Sequence, residues 1–296
     1  MVWYKNKLLK KLFLETTEWN VAWKHKGQQF QLIENPKNYW FADSLLFQNE
    51  NNTYLFVEAF DKQKNIGRLG VFEYDGITFS NFRIVMEKDY HLSYPFVFAH
   101  NGDYYMIPET SGNHSIELYK AKLFPDEWQL EKTLLYGNFV DTTLTLENND
   151  EYNFFSYDMN SFSMVKGVLS MKDISLRIIT NIVDTDYICR AGGNVYRYGD
   201  HTVRALQNNM YFYGQSLRIV NIEDGKTLSE ILPSEIITNK NCGYRRIHTY
   251  SNVGSFEAID LSNYRFNLFK PLKKLKEKVV KLGVRQPNDT DRHHKK

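Results

Sequence analysis

The sequence predicts an all-β protein, a five-bladed β-propeller with short basic amphipathic helices at its termini. Three observations predict it. Stretches with one grammar recur about every fifty residues, each repeat starts with a polar residue and most run into a strand, and the body shows almost no helical periodicity. A period of roughly 40 to 50 residues, at about four strands per repeat, is that of propeller blades. The regularity argues against a β-sandwich.

Residues 1–15 form a basic N-terminal segment in which LLKKLF spans Leu8 to Phe13. The early strand EWNVAWKHKG is expected to join the last blade and close the ring, because closure removes exposed sheet edges. Blade one opens with FADSLLF at Phe41 and turns through NENNT into YLFVEA. Blade two opens with LSYPFVF at Leu92 and turns through AHNGD into YYMIPE. Turns of Asn, Asp and Gly between alternating strands are hairpin signals. FVDTTLTL at Phe139, ICRAGGNVY at Ile188 and YRRIHTYS at Tyr244 open the remaining blades, so that starts fall 47 to 56 residues apart. Pieces such as GRLGVFEYDG and SIELYKAKLF supply outer strands. The propeller is expected over 16–265. In the tail, 266–296, the segment PLKKLKEKVVKLG places Leu272, Leu275, Val279 and Leu282 at helical spacing, with Pro271 at the start and Gly283 at the end.

Composition agrees with this plan. Of 296 residues, 42% are hydrophobic and 15% aromatic, and rings pack well on pleated sheet. From Lys270 onward ten Lys or Arg face three Asp or Glu, a local +7 that leaves −5 on the rest of a +2 chain. The basic termini suit peripheral contact with an anionic membrane surface or docking with a solvated lysine face. No run approaches the ~18 apolar residues of a membrane span. The first residues lack the apolar core of a secretory signal, so the expected location is cytoplasmic or peripheral at the inner face of the cell membrane. Cys189 and Cys242 read as isolated small apolar residues. Phosphate-cradling glycine loops, H-E-x-x-H, G-x-S-x-G and paired zinc-spaced cysteines are missing, and no basic stripe with interleaved aromatics suggests nucleic acid. Asp184-Thr185-Asp186 has the D-x-D form that some transferases use to hold a metal, but no strand and helix pattern of that kind surrounds it. No cofactor or metal is expected.

In a propeller the first strand of each blade lines the central channel. The polar residues that open the repeats, Asp43, Tyr94, Asp141, Arg190 and His248, therefore converge on one funnel, joined by Glu58, Glu109 and Gln207 from second strands. Arg190, Arg204, Arg218, Arg245 and Arg246 crowd the last two blades and point to an anionic ligand, since guanidinium forks recognise phosphate and carboxylate. Arg218 and Arg246 read as surface residues. His91 and His248 suit proton relay or hydroxyl binding, and Tyr94, Tyr213 and Trp40 suit stacking on sugar rings.

The stretches FADSLLF, YLFVEAF, GRLGVFEYDG, HLSYPFVF, YYMIPET, LYKAKLFPDEW, VDTTL, AGGNVYRYG, RALQNNMYFYG and IHTYS resemble the family typified by the N-terminal domain of plant glucosamine inositolphosphorylceramide transferase, with its bacterial relatives. More distantly the chain is similar to the five-bladed propeller glycosidases, the arabinanases, β-xylosidases and invertases. The resemblance implies a carbohydrate site in the funnel and a role in surface polysaccharide or glycolipid synthesis. Asp43 matches the glycosidases' acidic residue on the first strand of the first blade. Ser93-Tyr94-Pro95 stands where their second acid is placed, and Asp141 where they have glutamic acid.

Glycosyl transfer by hydrolases uses two carboxyl groups of different proton affinity. Asp43 is the candidate base or nucleophile. Glu109 is the candidate acid, because Met106, Ile107 and Pro108 surround it with apolar groups, and Asp141 would position hydroxyls. Glu58, His91, Tyr94, Arg190, Gln207, Tyr213 and His248 are the candidate binding residues. The expected partner is a carbohydrate, anionic and nucleotide- or lipid-linked. Two classes of function remain open, an enzyme that transfers or cleaves a glycosyl unit and a glycan-binding module that supports a partner glycosyltransferase.

Overall fold

Short runs rich in Val, Ile, Phe, Tyr and Thr, punctuated by Asn-, Asp- and Gly-containing turns, form strands that alternate between two faces. The computed structural model describes residues 14–184, 188–240 and 243–267. It divides into two units, Glu18–Asn263 and the termini Met1–Thr17 with Tyr264–Lys296.

Glu18–Asn263 is a five-bladed propeller of four-stranded antiparallel sheets. Blade 1 runs Tyr39–Gln48, Thr53–Asp61, Ile66–Tyr74 and Phe79–Met86. Blade 2 runs Ser93–His100, Asp103–Thr110, Ser115–Leu123 and Glu127–Tyr136. Blade 3 comprises Phe139–Leu146, Glu151–Asp158, Ser163–Ser170 and Ser175–Val183, and blade 4 Ala191–Tyr198, His201–Asn208, Ser216–Asn221 and Thr227–Ile231. Blade 5 is built from both ends of the unit. Arg246–Val253 and Phe256–Ser262 pair with Asn20–His25, which in turn carries Gln31–Leu32. The early strand thus closes the ring.

The first strands of neighbouring blades contact one another all the way round, which puts them at the axis. Outermost strands are largely exposed, as in Ser175–Val183. Apolar clusters seal the blade faces: Trp23, Phe41 and Leu55 between blades 5 and 1, Phe56, Met106 and Tyr119 between 1 and 2, Phe98, Tyr152 and Phe154 between 2 and 3, and Ala205, Ile219 and Tyr250 between 4 and 5. Among the described residues no such cluster is centred on the seam between blades 3 and 4.

In the other unit, Leu14–Thr16 pairs with Tyr264–Phe266, and Arg265 reaches Glu15 at 3.2 Å. The expected basic segments, Leu8 to Phe13 and Pro271 to Gly283, lie outside the described residues, as do Cys242 and two residues of the D-x-D stretch, Thr185 and Asp186. No helix among the described residues is long and apolar enough to cross a membrane.

Candidate functional site

Every first strand carries a β-bulge at one level. Two residues oppose a single partner residue at Asp43-Ser44, Tyr94-Pro95, Asp141-Thr142 and His248-Thr249, and three do so at Gly192-Gly193-Asn194. A bulge twists the strand and re-aims its side chains. Asp43, Tyr94 and Asp141 sit there at φ of 48°, 45° and 54°, a left-handed conformation that non-glycine residues seldom adopt. Such strain clusters at functional sites.

At the axis His248 lies between two carboxylates. Its Nε2 is 3.0 Å from Asp43 Oδ1, and its Nδ1 is 2.7 Å from Asp260 Oδ2, near enough for charge pairing though outside hydrogen-bond alignment. Burial works against the imidazolium, but Asp260 and Asp43 outweigh it and push the His248 pKa up to about 10. Asp260 in turn accepts from the backbone N–H groups of Asp43, His248 and Thr249 at 2.9 to 3.0 Å. Burial opposes its charge, yet His248 and these amides hold its pKa below the ordinary carboxylate range. The other Asp43 oxygen accepts from the Tyr94 N–H at 3.1 Å. Asp43, His248 and Asp260 also form the one acid-and-histidine grouping among the described residues whose atoms lie close enough to share a cation. A protonated His248 has no lone pair to ligate with, so the imidazolium itself fills that place.

Asp141 forms a second group. Its Oδ2 accepts from Arg190 Nε at 2.6 Å and from Gln207 Nε2 at 3.1 Å. Burial raises its pKa despite Arg190. Glu109 stands between the two groups electrostatically. Burial, then the field of Asp141, raises its pKa to about 7, with Asp43 adding to the effect while Arg190 and a 2.9 Å hydrogen bond from Ser111 Oγ oppose it. The structure therefore draws Asp43, Glu109 and Asp141, from three blades, into one interacting set.

The remaining expected residues divide by access. Tyr213 has a partly open ring beside Arg190, His248 and Trp19, and His91, with a side chain 42% exposed, faces buried Glu58 at 3.2 Å. The Gly67 N–H donates to His91 Nδ1 at 2.9 Å, which leaves its proton on Nε2, toward Glu58. Trp40 stacks on Phe60 with ring centroids 4.5 Å apart. Tyr94 offers no stacking face, contrary to expectation, because it is fully buried. Its hydroxyl donates to the Gly193 carbonyl at 3.1 Å, accepts from the Gly193 N–H at 2.9 Å and meets Thr143 Oγ1 at 3.0 Å. Gln207 is likewise buried, bonding Asp141 and the Ala191 carbonyl, so it positions Asp141 rather than greeting a ligand. Arg190 lies ahead of its strand, not in the bulge.

Arg246 corrects the surface reading. It is buried, its guanidinium 4.5 Å over the Trp19 ring and 5.3 Å over Tyr213, with Nε donating to the Tyr213 carbonyl. Asp260 escaped the sequence reading. The available signal was one acid in the apolar run FEAIDLS of the closing blade. A cavity of about 210 Å³ opens beside the site, lined by Tyr157, Met159, Phe162, Asp184, Arg190, Asn209 and Tyr213.

Comparison with known proteins agrees with this architecture. The catalytic domain of the Coprinopsis cinerea GH62 α-L-arabinofuranosidase superposes with a TM-score of 0.58 at 11% identity, over 82% of this chain and 97% of that one. The Xanthomonas citri GH43_1 enzyme complexed with xylotriose gives 0.55 at 9% identity, over 78% and 88%. At such identities the likeness shows the fold. In sequence, glucosamine inositolphosphorylceramide transferase 1 of Arabidopsis thaliana is 30% identical over 201 residues, 64% of this chain and 26% of that protein. Its counterpart in Oryza sativa subsp. indica is 35% identical over 111 residues, 37% and 15%. The chain thus spans about a quarter or less of the curated relatives it matches. The model of the glucosamine inositolphosphorylceramide transferase 1 N-terminal family matches residues 27–236, and with the blades and bulges in place the chain belongs to that family.

Proposed function

We propose that the funnel transfers or cleaves a glycosyl unit during the synthesis of a surface polysaccharide or glycolipid. The observation that carries this reading is the convergence of Asp43, Glu109 and Asp141, with burial and Asp141 holding the Glu109 pKa near 7. A carboxyl group of that proton affinity is suited to protonate a leaving glycosidic oxygen at neutral pH. Glu109 gives its proton to that oxygen as the bond to the anomeric carbon breaks. Asp43 either attacks the carbon or takes the proton of the incoming hydroxyl. Asp141, fixed by Arg190 and Gln207, orients sugar hydroxyls, and Tyr213 supplies a ring face. The sugar is anionic or carried on a nucleotide or lipid, in keeping with the arginines of blades 4 and 5. The work takes place in the cytoplasm, at the inner membrane face when the basic termini engage it.

One observation favours a second reading, a glycan-binding propeller that serves a partner glycosyltransferase. Asp43 and Asp141 are both buried and both already paired, with His248 and with Arg190. The family is also that of an N-terminal domain, and the relatives named as transferases extend far beyond it. Incubation with nucleotide sugars, aryl glycosides and lipid-linked oligosaccharides, followed by mass spectrometry, separates the two. A product made by the wild type and lost in a folded Asp43→Asn variant establishes the enzyme. A retained ligand without product on any donor and acceptor pair establishes the binding module.

A further inference from the structure

Four of the five blade seams are closed by apolar clusters, and the seam between blades 3 and 4 is filled differently. Arg204, on the second strand of blade 4, crosses it. The side chain is buried, at 6% exposure, with its guanidinium 4.4 Å over the Phe155 ring of blade 3 and Nη2 2.9 Å from Met164 Sδ. Nη1 is buried without a hydrogen-bond partner. A second cation, Lys166, stands beside it, Nζ 5.9 Å from the same ring. Among the described residues neither side chain makes an ion pair with a carboxylate.

This arrangement is costly as it stands. Placing a charge in a protein interior without a counterion costs more than a cation over an aromatic face recovers. Burial lowers the Arg204 pKa to about 10 against the opposing pull of Cys189 and Tyr94, which still leaves it charged at neutral pH, and lowers that of Lys166, with Arg204 adding to the effect and Cys189 opposing it. Two other arginines of the blades are matched by carboxylates: Arg68 lies against Asp61 and Glu87, and Arg83 against Glu73 and Asp126. Met164 pairs in register with Tyr157, and Tyr157 lines the 210 Å³ cavity together with Arg190, Tyr213 and Asp184.

We propose that Arg204 and Lys166 form an oxyanion site in the seam between blades 3 and 4, which takes a phosphate or carboxylate group. The group enters by way of the cavity beside Arg190 and accepts from Arg204 Nη1, with Lys166 as the second positive charge. A ligand whose sugar lies in the funnel would thereby be held by its acidic group in the neighbouring seam. This deepens the carbohydrate reading of the funnel, but its test reads binding without turnover, and the two fail separately.

The unfolding midpoint is measured against inorganic phosphate and, separately, glucuronate, at constant ionic strength in chloride. Both anions raise midpoints non-specifically by exclusion from the surface, so the reading is the saturable part and its loss in variants. Wild type shows a saturable rise with at least one anion. Arg204→Met weakens the affinity about tenfold or more, and Lys166→Met weakens it less. Without added anion, Arg204→Met is at least as stable as wild type, because it removes an uncompensated buried charge. A response to phosphate alone or to glucuronate alone identifies the group. The absence of a saturable rise, a rise that persists in both Arg204→Met and Lys166→Met, or an anion-free Arg204→Met protein less stable than wild type overturns the proposal.

Discussion

Tyr94 shows how one side chain acts beyond its own blade. Its hydroxyl crosses the axis from blade 2 to the backbone of Gly193 in blade 4 and touches Thr143 of blade 3. Tyr94→Phe leaves both Gly193 groups and Thr143 short of a partner, at a cost of about 1–3 kcal/mol in stability by chemical denaturation. An unchanged midpoint would mean that water replaces the hydroxyl. Glu109 has the opposite role, as the titrating group. If it is the acid, activity falls as pH rises through about 7, the value to which burial and Asp141 raise it. Glu109→Gln removes both that limb of the pH–rate profile and most of the rate. His248 sets a stability window. Its folded pKa of about 10 exceeds the ordinary 6.5, so its stabilising contribution is complete below pH 6.5 and is lost as pH rises through 10. A His248→Gln variant should show a flatter alkaline limb in unfolding free energy against pH. Asp43, Glu109 and Asp141 were legible because polar residues stood at recurring places in apolar strands. Asp260 was not, because it occupies the position opposite the bulge where the other blades carry Val57, Pro108, Ser156 and Ala205.

The bulge is the element on which the site depends. It lets one strand per blade keep its apolar faces packed while turning a polar side chain toward the axis, and the period of the repeats gave the place of that side chain in four blades. Blade 4 departed from the reading. Arg190 stood at the expected register, yet the bulge holds Gly192-Gly193-Asn194, three residues rather than two, with no side chain to mark the two glycines. Glycine is required there. At Gly193, φ is +139°, and a Cβ would lie 1.8 Å from the Tyr250 carbonyl oxygen. Gly193→Ala therefore costs about 2–4 kcal/mol or prevents folding, which denaturation or soluble yield will report. A loss below about 0.5 kcal/mol would show that blades 4 and 5 are not held so closely. The absence of an apolar cluster at the neighbouring seam was illegible too, since an arginine on a strand reads as a surface residue until its neighbours in space are known.

At the scale of the molecule, closure binds the two ends of the propeller unit into one blade. Asn20–His25 is an interior strand, bonded to Phe256–Ser262 on one side and Gln31–Leu32 on the other. Proline there removes a ladder donor, so Ala22→Pro should lower the stability of the whole ring by about 3 kcal/mol or more and not merely fray one edge. Hydrogen exchange would show the loss in all five blades. This closure was legible from the early strand, because joining it to the last blade removes exposed sheet edges. The central claim is that the ring gathers a carbohydrate site at its bulges, whether the site makes bonds or only holds sugar. The most direct test is saturation-transfer NMR of the same sugar panel with the wild type, Asp43→Asn and Asp141→Asn, each confirmed folded by its unfolding midpoint. The account predicts transfer to at least one sugar in the wild type and its loss in both variants. Transfer that persists undiminished in both would place the sugar elsewhere and contradict it.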